Sequence, residues 1–332
     1  MEYKLNVPFI KQNVLYNILL KYKVEKYNII NDDKNSNYIN GNVDEIYVIN
    51  LSDNIFRRKY IELLFKKYGI NYILIVVERP TENIKRHFTK SLRYSNFSVS
   101  ELGCLLSHLW CLHDAYINNY NNIIIFEDDI ILHKEFHKLF ECYMNYNISY
   151  DFLLLGASDF DFRYVNSVTL NNEKGLYSIL PNSKNSFGAH AIYYSRNALI
   201  YILEQRLTNP VFYDREFCVI FDKFKDKSYV CYPNLVLTEF STTNLNHNYS
   251  LSSQEDLYYN NCFINLNFSN YNFIYLGLFI KNKEYILNHK NKTYKEILDY
   301  ILLEYKDTNK QDYSHRFVLD YFNVSEIIDI LC

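Results

Sequence analysis

Apolar residues fall in short blocks along this chain, and the spacing within each block predicts what it becomes. Glu45 to Leu51 is an almost continuous apolar run rich in β-branched side chains, as in a buried strand. Ile55 to Tyr68 switches to helical spacing, with Ile61, Leu64, Phe65 and Tyr68 on one face and Gly69 closing the helix. Tyr72 to Val77 is a second buried strand. Strand, helix, strand is a βαβ unit, and such units build parallel sheets.

Further along, Ser98-Val99-Ser100-Glu101 has the form of a capping box. It opens a helix to about Asn118 that buries Leu102, Leu105, Leu106, Leu109 and Leu112. Ile123 to Phe126 and Phe152 to Gly156 are two more strands. A β-rich middle follows, then a helix near Ser195 to Arg206 and a strand at Asn234 to Leu237. Before residue 44, Val14, Leu15, Ile18 and Leu19 have helical spacing, and Asn31 to Asn42 is polar enough for a loop. After residue 250 the pattern weakens into Asn- and Tyr-rich stretches with helices such as Tyr294 to Tyr305. The expected organisation is a helical appendage over 1–43, an α/β core with a mostly parallel sheet over 44–250, and a mainly helical extension over 251–332.

Composition narrows the function. The chain has 332 residues, 48% of them apolar and 22% charged, which is an ordinary globular balance. Its formal charge is -3, so no basic field exists to hold a nucleic-acid backbone. No apolar run reaches the length of a membrane span. The seven cysteines include no Cys-x-x-Cys pair, so neither a zinc ribbon nor a disulfide framework is indicated. With no apolar leader after Met1, the expected compartment is the cytoplasm. The 34 Tyr and 23 Phe fit a codon bias rather than a binding surface, whereas each of only 7 Gly is informative.

The strand at 123–126 runs into Glu127-Asp128-Asp129. Alternation along a strand would put Glu127 and Asp129 on one side and Asp128 on the other. Ligands of open α/β sheets bind beyond the carboxyl ends of the strands, where these acids lie. Two neighbouring carboxylates repel unless a cation intervenes, and Mg²⁺ or Mn²⁺ with hard oxygen ligands could also hold a diphosphate. Phosphohydrolases, nucleotidyltransferases and sugar transferases all use such a pair. A plain acidic turn capping the next helix is the structural alternative.

Five blocks in order sharpen this. They are Ile46-Tyr47-Val48-Ile49-Asn50-Leu51 with Arg57-Arg58, Glu101-Leu102-Gly103-Cys104-Leu105-Leu106-Ser107-His108, Ile125-Phe126-Glu127-Asp128-Asp129, Asp151 to Gly156, and Gly188-Ala189-His190-Ala191 to Ser195-Arg196. Together they resemble glycosyltransferase family 25, which includes bacterial lipooligosaccharide and procollagen galactosyltransferases. The resemblance implies a GT-A fold, a UDP-sugar donor and inversion at the anomeric carbon. It implies a Mn²⁺ or Mg²⁺ ion on Glu127 and Asp129, with Asn50, Leu51, Arg57, Asp128, Gly188 and His190 around the nucleotide and sugar. It further suggests Asp214 as general base, with Glu216 the competitor. The implied donor sugar is galactose, then glucose or N-acetylglucosamine, and the acceptor a glycan or a hydroxylysine-bearing, collagen-like protein. Ser52-Asp53-Asn54 departs from the basic residue the family usually has there.

Two other functions stay open: a catalytically silent member that only binds sugar or protein, and a metal-dependent sugar nucleotidyltransferase. Remaining candidates have blander expectations. Glu101 is explained by its cap and His108 by packing. His133 and His137 have i, i+4 spacing on an exposed helix, and His247 could join a metal shell.

Overall fold

The computed structural model describes residues 13–31, 37–92, 97–146, 148–157, 159–160, 165–171, 174–179, 186–211, 213, 217–239, 270–272, 276–309 and 322–332. Its elements begin with α1 (Val14–Leu19), β1 (Val24–Ile29), α2 (Asn37–Asn42), β2 (Glu45–Leu51), α3 (Ile55–Tyr68) and β3 (Tyr72–Val77). They continue with α4 (Glu82–Leu92), α5 (Val99–Ile117), β4 (Asn122–Glu127), β5 (Ile130–Leu132), α6 (Phe136–Met144) and β6 (Phe152–Leu154). The strands β7 (Asp159–Phe160), β8 (Val165–Asn171), β9 (Lys174–Ile179), β10 (Ser186–Phe187) and β11 (Ala191–Ser195) lead to α7 (Arg196–Thr208) and α8 (Phe217–Lys223). Then come β12 (Ser228–Tyr232), β13 (Val236–Thr238), α9 (Leu276–Lys281), α10 (Lys283–Asn288), α11 (Tyr294–Asn309) and α12 (Val324–Leu331).

Nine strands form one mixed sheet in the order β1-β3-β2-β4-β11-β6-β12-β9-β8. β2 is parallel to β3 on one side and β4 on the other. The chain therefore leaves β2 in one direction and later returns past it, which makes the β2/β4 boundary a topological switch point. In α/β sheets a crevice opens there, beyond the carboxyl ends of the strands. β11 is wedged antiparallel between β4 and β6, so the sheet is less uniformly parallel than the sequence suggests.

Side-chain period explains the continuous apolar runs. In β2, Ile46 and Val48 face one core with α3, while Tyr47 and Ile49 face a second core with α5. β3 and β4 alternate in the same way, so both faces of the central sheet are dry. Helix α5 is anchored at its start by a reciprocal cap: Ser98 Oγ accepts from the Glu101 amide at 3.1 Å, and the Ser98 amide donates to Glu101 Oε2 at 2.7 Å. Replacing Ser98 by Ala is expected to lower stability by about 1 kcal/mol, measured by urea unfolding. An unchanged midpoint would show that packing alone holds the end of α5. Gly69 closes α3 in the left-handed region, at φ 61°.

The segments outside 44–250 contribute to this same body. β1 pairs antiparallel with β3 as the edge of the main sheet, although its polar sequence predicts no strand. Asn37–Asn42 is helical where a loop is expected. Residues 270–272 hydrogen-bond to β5, since the Asn272 amide donates to Leu132 O at 3.1 Å. Ile327, Ile330 and Leu331 of α12 are buried in the α3-side core. His133 is not on an exposed helix: it precedes α6, is buried, and forms a β-bridge with Tyr271. His137 meets the Tyr68 carbonyl through Nε2 at 2.7 Å. The expected i, i+4 pair fails because α6 begins only at Phe136.

Candidate active site

β4 hydrogen-bonds as a strand through Glu127, and Asp128 and Asp129 then form the turn into β5. Strand alternation therefore stops at the first of the three acids it was applied to. All three carboxylates nevertheless line one cleft of about 120 Å³ at the switch point. Its other walls are Ile49 and Leu51 from β2, Val77 at the end of β3 with Arg79 and Pro80 beyond it, Arg57 and Asn54 at the start of α3, and Gly103, Cys104 and Ser107 of α5. α3 and α5 pack on opposite faces of the sheet, so the strand ends are gripped from both sides.

From the α3 side comes Arg57, only 7% exposed. Its Nη1 lies 2.9 Å from Asp128 Oδ1 and 3.1 Å from Asp129 Oδ2. Burial works against the guanidinium charge, yet Asp129, Asp128 and Glu239 hold its pKa above the ordinary value. Asn50, fully buried, donates from Nδ2 to Asp128 Oδ2 at 2.6 Å and accepts from Arg58 Nε at 2.9 Å. Asn50, Asp128 and Arg57 thus brace the crevice floor. Arg57 lines the cleft, and its charge is already shared between two carboxylates.

The three acids differ electrostatically. Burial raises the Asp128 carboxyl, with Arg57 and Asn50 opposing. Asp129 is pushed up to about 8, by burial first and then by Glu127, Asp128 and Glu239 against the pull of Arg57. Glu127 would also be raised by burial, but His108, His190 and Arg57 bring it below the usual carboxylate range. Glu127 is therefore the acid most firmly ionised, and it is partly open, with 30% of its side chain exposed. Asp129 Oδ1 is buried and has no hydrogen-bond partner among the described residues. A partly open carboxylate and an orphaned carboxylate oxygen on one cleft fit a hard divalent cation.

From the α5 side come Cys104 and His108, one helical turn apart. Cys104 Sγ is 3.7 Å and His108 Nε2 is 3.2 Å from Glu127 Oε1. The ligand atoms of all three lie within 4.8 Å of one another, close enough to hold a metal ion. His108 is therefore more than the packing residue expected. The missed signal was its i, i+4 spacing from Cys104, and only tertiary structure places that helix face against the end of β4.

His190 is buried, at 2% exposure, and its carbonyl accepts the Glu127 amide at 2.9 Å. Burial outweighs the attraction of Glu127 and lowers its imidazole to about 4, so it is neutral at physiological pH. It is not among the cleft-lining residues and instead supports Glu127 from behind. Gly188 has φ 116°, a backbone conformation that glycine alone adopts cheaply, which fixes the approach to His190. Leu51 also lines the cleft. Asp214, Glu216 and His247 lie outside the described residues.

The sequence profile of glycosyltransferase family 25, described as LPS biosynthesis protein, matches residues 43–209, just over half of the chain. The chain belongs to glycosyltransferase family 25. Its mixed central sheet flanked by helices is the GT-A-like Rossmann fold of that family. The match runs from just before β2 through α7 and includes every described wall of the cleft. A Haemophilus influenzae protein, described provisionally as a glycosyltransferase, is 37% identical over 100 residues. That alignment covers 29% of this chain and 36% of the relative, so the chain spans little more than a third of the curated relative it matches. Among solved structures, mannose-1-phosphate geranyltransferase from Thermus thermophilus aligns over 56% of this chain and 72% of that one. At 8% identity and a TM-score of 0.23, that likeness carries no argument. Among the described residues, no helix of this family 25 member is long and apolar enough to cross a membrane.

Proposed function

We propose that this family 25 chain transfers a sugar from a UDP-sugar to a hydroxyl acceptor, with inversion and with a divalent metal. The observation that carries the reading is the convergence of Glu127, Asp128 and Asp129 in one cleft at the β2/β4 switch point. Departure of a nucleoside diphosphate from the anomeric carbon leaves negative charge on the diphosphate, and an oxocarbenium-like state develops on the sugar. Mn²⁺ or Mg²⁺ held by Glu127 and Asp129 would supply the neutralising charge.

The chain's own groups divide the remaining work. Arg57 cancels part of the charge of Asp128 and Asp129, so the cleft can accept an anionic donor despite three acids. Ile49, Leu51, Val77 and Pro80 form an apolar wall suited to a nucleobase, and Arg79 at the rim can approach phosphate. Asn50 and Arg57 keep Asp128 fixed, which holds the acidic turn in place. An inverting transfer needs a base for the acceptor hydroxyl, and Asp214, with Glu216 second, is the proposed one. Galactose is the first donor sugar to test, followed by glucose and N-acetylglucosamine. The proposed acceptors are a glycan or a collagen-like hydroxylysine.

Release of UDP from a panel of UDP-sugars, with Mn²⁺ or with a chelator, tests this directly. At least one UDP-sugar should turn over only with metal, and Glu127→Gln should lower that rate at least about 100-fold. Metal-independent turnover, or none with any donor and acceptor, would overturn the reading.

A further inference from the structure

Cys104 and His108 approach the Glu127 carboxylate from α5 and bring sulfur and nitrogen donors in place of an all-oxygen set. We propose that Cys104, His108 and Glu127 form a three-ligand site for a zinc-class divalent cation, with a fourth coordination position open to the cleft. The site requires only these three side chains and does not depend on the identity of any sugar donor.

Distances support it. Tetrahedral zinc ligands at about 2.0–2.3 Å from the metal stand roughly 3.3–3.5 Å apart. Here the imidazole nitrogen and the thiol sulfur stand 3.2 and 3.7 Å from Glu127 Oε1, so little movement is needed to close on an ion. Helical i, i+4 spacing presents Cys104 and His108 on the same face of α5, and the capped start of the helix keeps that face in register. The imidazole is held by more than its helix. It stacks on Tyr213 with ring centres 4.1 Å apart, and Tyr213 shares a 2.7 Å hydrogen bond with Tyr194. Three electron-rich atoms converging in a largely buried place repel one another unless a proton or a cation lies between them. Cys104 and Glu127 line the cleft whereas His108 does not, so the fourth position faces the cleft.

Donor type selects the ion. Thiolate and imidazole favour zinc, copper(I) or cobalt over manganese and magnesium, which prefer oxygen throughout. Three protein ligands with an open fourth position is the pattern of exchangeable zinc sites, whereas fully closed sites use four.

Cobalt(II) titration of the reduced, chelator-treated full chain provides the test. One equivalent should produce a thiolate-to-cobalt charge-transfer band and the visible absorption of a tetrahedral site, and one equivalent of Zn²⁺ should bleach both. Mn²⁺ at the same concentration should not. Cys104→Ser should remove the charge-transfer band, and His108→Gln should weaken cobalt binding by about 10–100-fold. Asp129→Asn should leave the band intact. Absence of the band in the unmodified chain overturns the proposal whether or not any variant folds. So does its persistence in Cys104→Ser, or its loss in Asp129→Asn. An intact band without UDP-sugar turnover would remove only the donor reading, and turnover without the band would remove only the zinc-class site.

Discussion

Replacing Arg57 by Met is expected to destabilise the fold by about 3–5 kcal/mol at neutral pH, because it leaves buried carboxylates without their compensating charge. Asp128 and Asp129 both lie within 3.1 Å of Nη1, and Glu239 adds a further negative charge nearby. Asn50 remains as a partner of Asp128, but a neutral amide cannot offset three acids. The loss should depend on pH in a definite direction. Without Arg57, burial and mutual repulsion raise these carboxyls further above their unfolded values. A carboxyl raised on folding is no handicap below its unfolded pKa, and its penalty grows as pH climbs toward the folded value. The deficit should therefore shrink as pH falls through about 8, since below that value Asp129 is protonated with or without Arg57. Urea unfolding at several pH values checks both statements. A deficit below about 1 kcal/mol, or one that widens on acidification, would mean the arginine is not what keeps these acids tolerable.

Gly156→Ala should be comparably damaging for a purely steric reason. A Cβ there would lie 1.9 Å from Val236 O, 2.7 Å from His190 Nε2 and 2.9 Å from Val236 C. The Val236 carbonyl cannot easily retreat, because Leu155 O accepts the Leu235 and Val236 amides at 2.7 and 3.2 Å. Overpacking commonly costs about 1–3 kcal/mol, and a clash with fixed backbone belongs at or above the top of that range. Gly103→Ala is the internal comparison. Its Cβ would meet Pro80 Cδ at 3.2 Å, a contact with a buried proline ring on the cleft wall that must give by only a few tenths of an ångström. Thermal unfolding should separate the two variants clearly. Similar midpoints for both would show that the β6–β13 approach can relax.

The central strands and the two long helices could be read from the sequence because each carries its own signal. β2, β3 and β4 are buried on both faces, so their apolar runs are unbroken, and α5 announces itself with a capping box. β1 carries no such signal, since its side chains are mostly exposed and Glu25, Lys26 and Asn28 resemble a loop. The place of β11 between β4 and β6 was also hidden, because strand order is set by pairing between residues far apart in sequence. In the site, the acidic triplet stood out as charges at the end of an apolar strand. The commitment of Arg57 to Asp128 and Asp129 did not, because α3 and the β4–β5 turn are neighbours only in space. The same reason concealed the approach of Cys104 and His108 to Glu127.

Helix α12 packs on α3, and Lys59 Nζ reaches the Asp329 carbonyl across a sequence separation of 270 residues. During synthesis the part of α3 that α12 covers emerges long before that cover. At about 5–20 residues per second, that gap lasts on the order of ten seconds or more. The nascent chain must spend this interval shielded by something other than its own native partner, so its yield in cells should respond to the supply of ribosome-associated chaperones.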